Sequence, residues 1–275
     1  MKYILFLCKI YYILIIIANA RAFVNGVFMN LQQLMSKTRR AIDQYNMIDE
    51  GDKIAVGLSG GKDSMALLYT LAGLRRFYPK KFELVAITVD MGLGLDEGEV
   101  EAVRKVCEEL GVHYHVEQTQ IGEVVFDVRK ESNPCSLCAN MRRGALNSAA
   151  ANLGCNKVAL GHHADDLVET MFLCLFYEAR FSTFSPITRL TRKKITVIRP
   201  MIFLREMEII GFTKDKPIIH NPCPADKHTQ REYIKSVLKN LEKDNKKLRE
   251  NVLGALTHPE RNNLFDDQIL PDFEE

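Results

Sequence analysis

Ser59-Gly60-Gly61-Lys62-Asp63-Ser64 combines the residue types of a loop that handles phosphate. Two adjacent glycines let backbone N–H groups converge on one point, Lys62 brings a positive charge, and Asp63 places a carboxylate inside the turn. The loop follows the apolar run Lys53-Ile54-Ala55-Val56 and precedes the helical pattern Met65-Ala66-Leu67-Leu68-Tyr69. That order is strand, turn, helix start, and a helix N-terminus adds partial positive charge at the same point. Such a loop holds a pyrophosphate, which points to the use of ATP. It is not a Walker A loop, which would need Gly at position 56 and Ser or Thr at position 63; this chain has Val56 and Asp63. The acidic residue argues for a Mg²⁺-assisted site rather than a plain phosphate cradle.

Pro134-Cys135-Ser136-Leu137-Cys138 is the second chemical signal. Asn133 suits an N-cap and Pro134 the first helical position. Cys135 and Cys138 then lie three apart in the first turns, so both thiols can face one point. The helix N-terminus favours thiolate, and Arg142 and Arg143 one turn on would favour it further. Taken alone, such a pair is a redox couple, half a metal site, or two buried thiols. Cys223, in the proline-flanked loop Asn221-Pro222-Cys223-Pro224, is an unusual core cysteine and joins the pair as a candidate ligand. Three cysteines do not complete a structural zinc site, nor all four corners of a cubane iron–sulfur cluster. Three thiolates would leave one iron open to an exogenous ligand, which suits holding a sulfur atom for transfer. Cys107 and Cys174 fall in helical apolar patterns and Cys155 enters a strand, so these read as structural.

The elements that must position these groups alternate along the chain. A helix is expected from Leu31 to Tyr45. Strands follow at Ile54–Leu58, Phe82–Val89, Val112–Glu117, Lys157–Leu160 and Ile195–Ile198. Between them helices run over Ser64–Phe77, Gly98–Leu110, Pro134–Leu153 and Ala164–Tyr177. The fold class is therefore α/β, a doubly wound, parallel five-stranded sheet with helical N- and C-terminal extensions. A last long helix, about Arg231 to Leu256, puts Ile234, Val237, Leu238, Leu241, Leu248 and Val252 on one stripe for packing. Ligands in such sheets bind beyond the carboxyl ends of the strands. There the second strand delivers Val89-Asp90, suited to reading a nucleoside, and the fourth delivers Gly161-His162-His163-Ala164-Asp165-Asp166.

At 275 residues and 47% hydrophobic content the chain is globular, and its net charge of +2 excludes a polycation. Nucleic-acid binding would have to use local basic patches: Arg142-Arg143, Arg189 to Lys194, or Lys243 to Arg249. Residues 1–28 differ from the rest. The apolar stretch from Tyr3 to Ala20 is interrupted by Lys9, too short a span for a firm anchor, and Ala18-Asn19-Ala20 has a signal-cleavage form. The preferred reading is translated upstream sequence ahead of a true start at Met29 or Met35, with an anchor or a signal as alternatives.

The hexapeptide Ser59–Ser64 resembles the PP-loop of the ATP pyrophosphatases, which cut ATP between its α and β phosphates and leave AMP on a substrate oxygen. From about Leu31 to Phe265 the chain resembles, more narrowly, the tRNA 2-thiocytidine synthetase family. The stretches that carry this are Tyr45-Asn46-Met47-Ile48 with Gly51-Asp52, the hexapeptide, and Cys135-Ser136-Leu137-Cys138 with Arg142-Arg143-Gly144. Gly161 to Asp166, Ile198-Arg199-Pro200, Leu204-Arg205-Glu206, Gln230-Arg231 and Asn263-Leu264-Phe265-Asp266 complete the set. The resemblance implies that Ser59, Gly60, Gly61, Lys62, Asp63 and Ser64 bind ATP and its leaving pyrophosphate, with Asp90, Gly161, His162 and Asp166 beside them. It implies that Cys135, Cys138 and Cys223 ligate a [4Fe-4S] cluster, and that the C2 oxygen of cytidine 32 in the tRNA anticodon loop is adenylated and then replaced by sulfur. Lys62, Asp63, Asp165 and the three cysteines would carry the chemistry. A ring carbonyl oxygen leaves badly and its AMP ester leaves well, while Mg²⁺ and Lys62 would steady the phosphates. Asp165 or Asp166 could hold the metal or shuttle a proton. His162 and His163 are either ATP contacts or turn histidines held by structural hydrogen bonds.

The implied domains are the leader 1–28, an N-terminal helix 29–50, an ATP pyrophosphatase domain 51–203 with the Cys-x-x-Cys, and a segment 204–275 with Cys223 and the long helix. The implied partners are tRNA, a sulfur donor such as a cysteine desulfurase or free sulfide, and a second copy of the chain, in the cytoplasm and with no stable membrane partner. Better-known members carry a Cys-x-x-Cys-like patch where this chain has Cys223 alone, followed by Pro224-Ala225-Asp226. Rival readings are a tRNA uridine 2-thiolase, whose terminal zinc ribbons and extra cysteine pairs are missing here, and a non-catalytic, metal-bearing RNA-binding protein, against which the intact loop and Asp165-Asp166 speak. Zinc in place of the cluster is a further alternative.

Overall fold

The computed structural model of the chain describes residues 30–129, 134–219 and 230–262. The apolar leader, Asn133, the Cys223 loop and the Asn263–Asp266 stretch lie outside the described residues. Two compact units divide what is described. The first holds residues 30–164 and 185–219, the second 165–184 and 230–262.

The first unit is built on a sheet. Helix α1 (Leu31–Gln44) is opened by Asn30, whose side chain accepts from the Gln33 N–H at 2.9 Å while Gln33 reaches back to the Asn30 N–H at 3.1 Å. Then come β1 (Asp52–Gly57), α2 (Lys62–Arg75), β2 (Phe82–Asp90), α3 (Glu97–Glu109) and β3 (His113–Gln118). Two short helical turns, Ile121–Glu123 and Val124–Arg129, lead towards α4 (Pro134–Asn152), β4 (Lys157–Ala159) and α5 (Ala164–Glu178). Strands β5 (Ile187–Leu190) and β6 (Ile195–Ile198) form a hairpin before α6 (Glu206–Thr213).

The sheet order is β3-β2-β1-β4-β6-β5. All pairs are parallel except β5 with β6. The expected parallel five-stranded sheet therefore gains a sixth, antiparallel edge strand. Ile54, Ala55 and Val56 of the central strand are fully buried, as both faces of a parallel sheet require. On one face Leu146, Ala149 and Ala150 of α4 pack on Ala55, Val85, Val158 and Val197. Helices α1 and α6 pack against α2.

Away from the carboxyl edge, Lys157 at the start of β4 is buried beside Asp52 at the start of β1, with Nζ 2.7 Å from the carboxylate. Asp52 is 4% exposed and also accepts from Asn156. Removing one partner leaves an uncompensated buried charge. Lys157→Ala is expected to destabilise the fold by about 3–5 kcal/mol, read as a lowered denaturant midpoint. An unchanged midpoint would contradict this account of the pair.

The second unit packs α5 against α7 (Gln230–Asp244) and α8 (Leu248–Thr257) through Val168, Ile234 and Leu238, with Phe172, Leu248 and Val252 around them. The expected single helix from Arg231 to Leu256 is thus two helices. Asn245 breaks it: its side chain accepts from the Lys247 N–H at 3.1 Å, and its carbonyl accepts from the Leu248 N–H at 3.0 Å. Leu241, expected on the packed stripe, is exposed. Among the described residues no helix is long and apolar enough to cross a membrane.

Candidate active site

Strand order reverses between β1 and β4, since the chain steps outward from β1 in both directions. The crevice beyond the carboxyl ends of these two strands is where an open α/β sheet binds its ligand. Strand β1 delivers the loop Leu58 to Gly61, and β4 delivers Leu160, Gly161, His162 and His163. The loop is tied to the sheet by the Leu58 N–H, which donates to the Ile87 carbonyl at 2.8 Å, and by the Thr88 hydroxyl, which donates to the Leu58 carbonyl at 2.7 Å.

Gly60 has φ +78°, and a Cβ there would lie 2.3 Å from the Cβ of Ile219. Gly61 is the N-cap of α2 and makes no side-chain capping bond, so the helix N-terminus faces the crevice with its N–H groups available to a ligand. The Ser64 hydroxyl donates to the Gly61 carbonyl at 2.9 Å and stands 3.2 Å from the Ser59 hydroxyl. From the β4 side Gly161 closes on the loop: a Cβ there would meet the Asp63 carbonyl group at 3.0 Å. Both glycines are thus required by close approach, and the two arms of the crevice are packed together.

Lys62 opens α2 with its ammonium held 3.0 Å from Asp63 and 3.0 Å from Glu206. Burial pulls its pKa down, but the neighbouring carboxylates outweigh burial and the net shift is upward. A lysine with a raised pKa is charged throughout the working pH range. Glu206 was not legible as a site residue. It is set by α6, whose Glu208 accepts from the Arg205 N–H at 2.8 Å and so fixes the helix start. The buried His163 lies with Nε2 3.7 Å from Asp63. Asp90 ends β2, where one carboxylate oxygen accepts from the Gly92 N–H at 2.9 Å and its carbonyl accepts from the Thr119 hydroxyl at 2.6 Å.

Asp165 and Asp166 stand in the first turn of α5 and are described with the second unit. Arg249 pairs with Asp165 at 3.2 Å, and Arg231 with Asp166 at 3.1 Å. Both arginines also reach Glu169, which is 1% exposed and whose pKa burial raises. Arg249, from the basic stretch 243–249, is therefore part of an internal ion network.

Cys135 is exposed and Cys138 half-buried at the start of α4, and neither is in a disulfide. Cys138 packs with Leu137, Met141 and Ala145 on Met91, Ile121 and Val125, its sulfur 3.6 Å from that of Met91. Arg143 is not turned to the thiols: its guanidinium donates to the Ala139 carbonyl and the Asn140 side chain. Cys223, the third expected ligand, lies outside the described residues. The nearest described residue before it, Ile219, donates its N–H to the Gly60 carbonyl at 2.9 Å.

The other described cysteines are chemically quiet. Burial pushes the Cys107 thiol up to about 11 and raises those of Cys155 and Cys174. Iodoacetamide on the native, metal-free protein at neutral pH is expected to modify Cys135 well before these three, as read by peptide mass spectrometry. Earlier labelling of Cys107 would contradict the packing described.

The chain matches the PP-loop domain family over residues 30–242. A tRNA-cytidine(32) 2-sulfurtransferase of Geobacter metallireducens is 39% identical over 235 residues, covering 84% of this chain and 91% of that protein. One from Alcanivorax borkumensis is 39% identical over 248 residues, covering 88% and 86%. Among solved structures, the U34-tRNA thiolase NcsA from Methanococcus maripaludis with its [4Fe-4S] cluster superposes with a TM-score of 0.69 at 24% identity, covering 88% of this chain and 83% of that one. This last likeness bears on the fold.

Proposed function

We propose that this chain, which belongs to the tRNA-cytidine(32) 2-sulfurtransferase family of PP-loop proteins, thiolates cytidine 32 of tRNA at the expense of ATP, which leaves as AMP and pyrophosphate. The observation that carries this reading is the loop itself: Gly60, Gly61 and the α2 N-terminus stand at the β1–β4 switch point with the Lys62 ammonium beside them.

The loop N–H groups and Lys62 take the β and γ phosphates and offset the charge that builds on them as the α–β bridge breaks. Asp63, next to Lys62, is the carboxylate suited to a Mg²⁺ ion carried in with ATP. Ser59 and Ser64 hold the shape of the loop, and Gly161 keeps its far wall close. Asp90 lies at the end of β2, where the nucleoside would be read. AMP on the base C2 oxygen turns a poor leaving group into a good one, and sulfur then takes its place. We expect Asp165 and Asp166 to act through the α5 start rather than as free bases.

Cys135 and Cys138 fit an iron–sulfur group: two thiols outside any disulfide, three residues apart at a helix start, one open to solvent and one backed by Met91. With Cys223 they would hold a [4Fe-4S] cluster, which supplies a coordination position for the incoming sulfur. The reading includes sulfide or a cysteine desulfurase as sulfur source, and a homodimer acting in the cytoplasm.

The test is AMP and pyrophosphate release by anaerobically prepared protein given ATP, sulfide and unmodified tRNA. AMP is expected only when tRNA is present. No AMP under these conditions would sink the enzyme reading in favour of an RNA-binding protein.

A further inference from the structure

A cavity of about 310 Å³ lies in the first unit between α4 and the β4–β6–β5 side of the sheet. Asn140, Arg143, Gly144 and Asn147 reach it from one stripe of α4, spaced three and four residues apart. Leu137, Cys138, Met141 and Ala145 occupy another stripe, against Met91 and Ile121. The cavity and the half-buried thiol are therefore on different sides of one helix. Cys135 and Arg143 are eight residues apart, about 12 Å along the axis.

The cavity is built for an anion with a flat apolar part. Arg199 enters at the end of β6 and is fixed there: it donates to the Ser185 carbonyl at 2.7 Å and the Thr188 hydroxyl at 3.0 Å. Burial, and then the like charge of Arg143, lower its pKa. Two guanidinium groups thus face one cavity whose described wall has no carboxylate. Lys193, from the turn of the β5–β6 hairpin, docks on the same helix, 3.1 Å from the Gly144 carbonyl and 2.6 Å from the Ser148 hydroxyl. Two of the three basic stretches in the sequence, far apart along the chain, meet here. Leu160, Leu190 and Val197 supply an apolar floor. A bare inorganic anion would leave that floor unused, and an apolar ligand would leave two cations unused. A nucleotide uses the cations, the asparagine amides and the floor together.

We propose that this cavity is a subsite for an RNA nucleotide flanking the modified one, with Arg143 and Arg199 on its phosphate, Asn140 and Asn147 on its base edge, and the apolar floor against its ring. The proposal rests on the tRNA reading above, and it assigns a second contact region on the side of α4 away from Cys138.

The test is binding of an anticodon stem-loop RNA to the full chain at several salt concentrations, for the wild type, Arg143→Gln and Asn147→Asp, with ATP binding measured alongside. Both positions are only partly packed, so neither change should disturb folding; retained ATP affinity reports on this. Arg143→Gln should lower the slope of log affinity against log salt by about 0.7. Asn147→Asp removes the amide donor at the base edge and puts a carboxylate in the cavity that receives the nucleotide anion, and should weaken RNA binding by about tenfold or more. Wild-type RNA affinity and slope in both variants, with the wild type binding RNA, would overturn the subsite alone. No RNA binding by the wild type would overturn the tRNA reading and the subsite together.

Discussion

Replacing Lys62 by alanine is expected to lower tRNA-dependent AMP formation by about 10²–10³-fold. The ammonium stands 3.0 Å from both Asp63 and Glu206 at the first position of α2, where the loop and the helix N-terminus point. Its charge adds to the backbone donors that face a leaving pyrophosphate. The paired carboxylates hold it in place before ATP arrives, so little reorganisation is needed when charge develops. The side chain is 31% exposed, so its pairs are screened and contribute at most about 1 kcal/mol to folding. The variant should therefore remain folded while losing chemistry. Thermal unfolding and AMP release, measured on the same preparation, separate the two effects. Glu206→Gln removes one holder but keeps the ammonium, and should give a smaller loss. Equal loss in both variants, or full activity in Lys62→Ala, would contradict this placement of the charge.

Gly60→Ala should be the most damaging small substitution in the loop. The residue sits at φ +78°, which costs a non-glycine residue about 1–2 kcal/mol. The new methyl would also lie 2.3 Å from the Cβ of Ile219, whose N–H donates to the Gly60 carbonyl. Neither side can move without breaking that bond or the loop. Together the two effects should lower stability by about 2–4 kcal/mol and abolish measurable ATP binding. Gly254→Ala in α8 is the contrast, since a Cβ there meets nothing within 4 Å. It should stabilise by about 0.5–1 kcal/mol. Denaturant unfolding of the two variants should therefore move in opposite directions. A Gly60→Ala protein that binds ATP normally would contradict the close packing of Ile219 on the loop.

The parts of this fold that announce themselves in the sequence are those with strong local chemistry. The central strands are unbroken apolar runs, because a parallel sheet buries both faces, and α2 follows a glycine turn that only such residues permit. Strand β5 was hidden for a physical reason. It is four residues long and lies at the edge, and its hairpin turn Thr191-Arg192-Lys193-Lys194 has no Gly, Pro, Asn or Asp; Lys194 itself takes φ +51°. The break at Asn245 was hidden because the apolar stripe continues in phase across it. The site shows the same division. The glycine loop and the cysteine pair carry their spacing within a few residues. Glu206, Ile219 and Arg199 act through contacts with residues far away in the chain, and only folding brings them together. Glu206 and Arg199 did stand inside matched stretches, Leu204-Arg205-Glu206 and Ile198-Arg199-Pro200, which was the available signal. Asp165 and Asp166 show the converse: a paired-carboxylate motif invites a metal, yet each is met by an arginine of its own unit.

The reaction proposed for this protein uses ATP to replace a tRNA base oxygen with sulfur. It is tested most directly by mass spectrometry of nucleosides from unmodified tRNA incubated anaerobically with the protein, ATP and sulfide. 2-Thiocytidine is expected with the wild type, and none with Lys62→Ala, with Cys135→Ala, or when ATP is withheld. A 2-thiouridine product, or 2-thiocytidine formed without ATP, would contradict it.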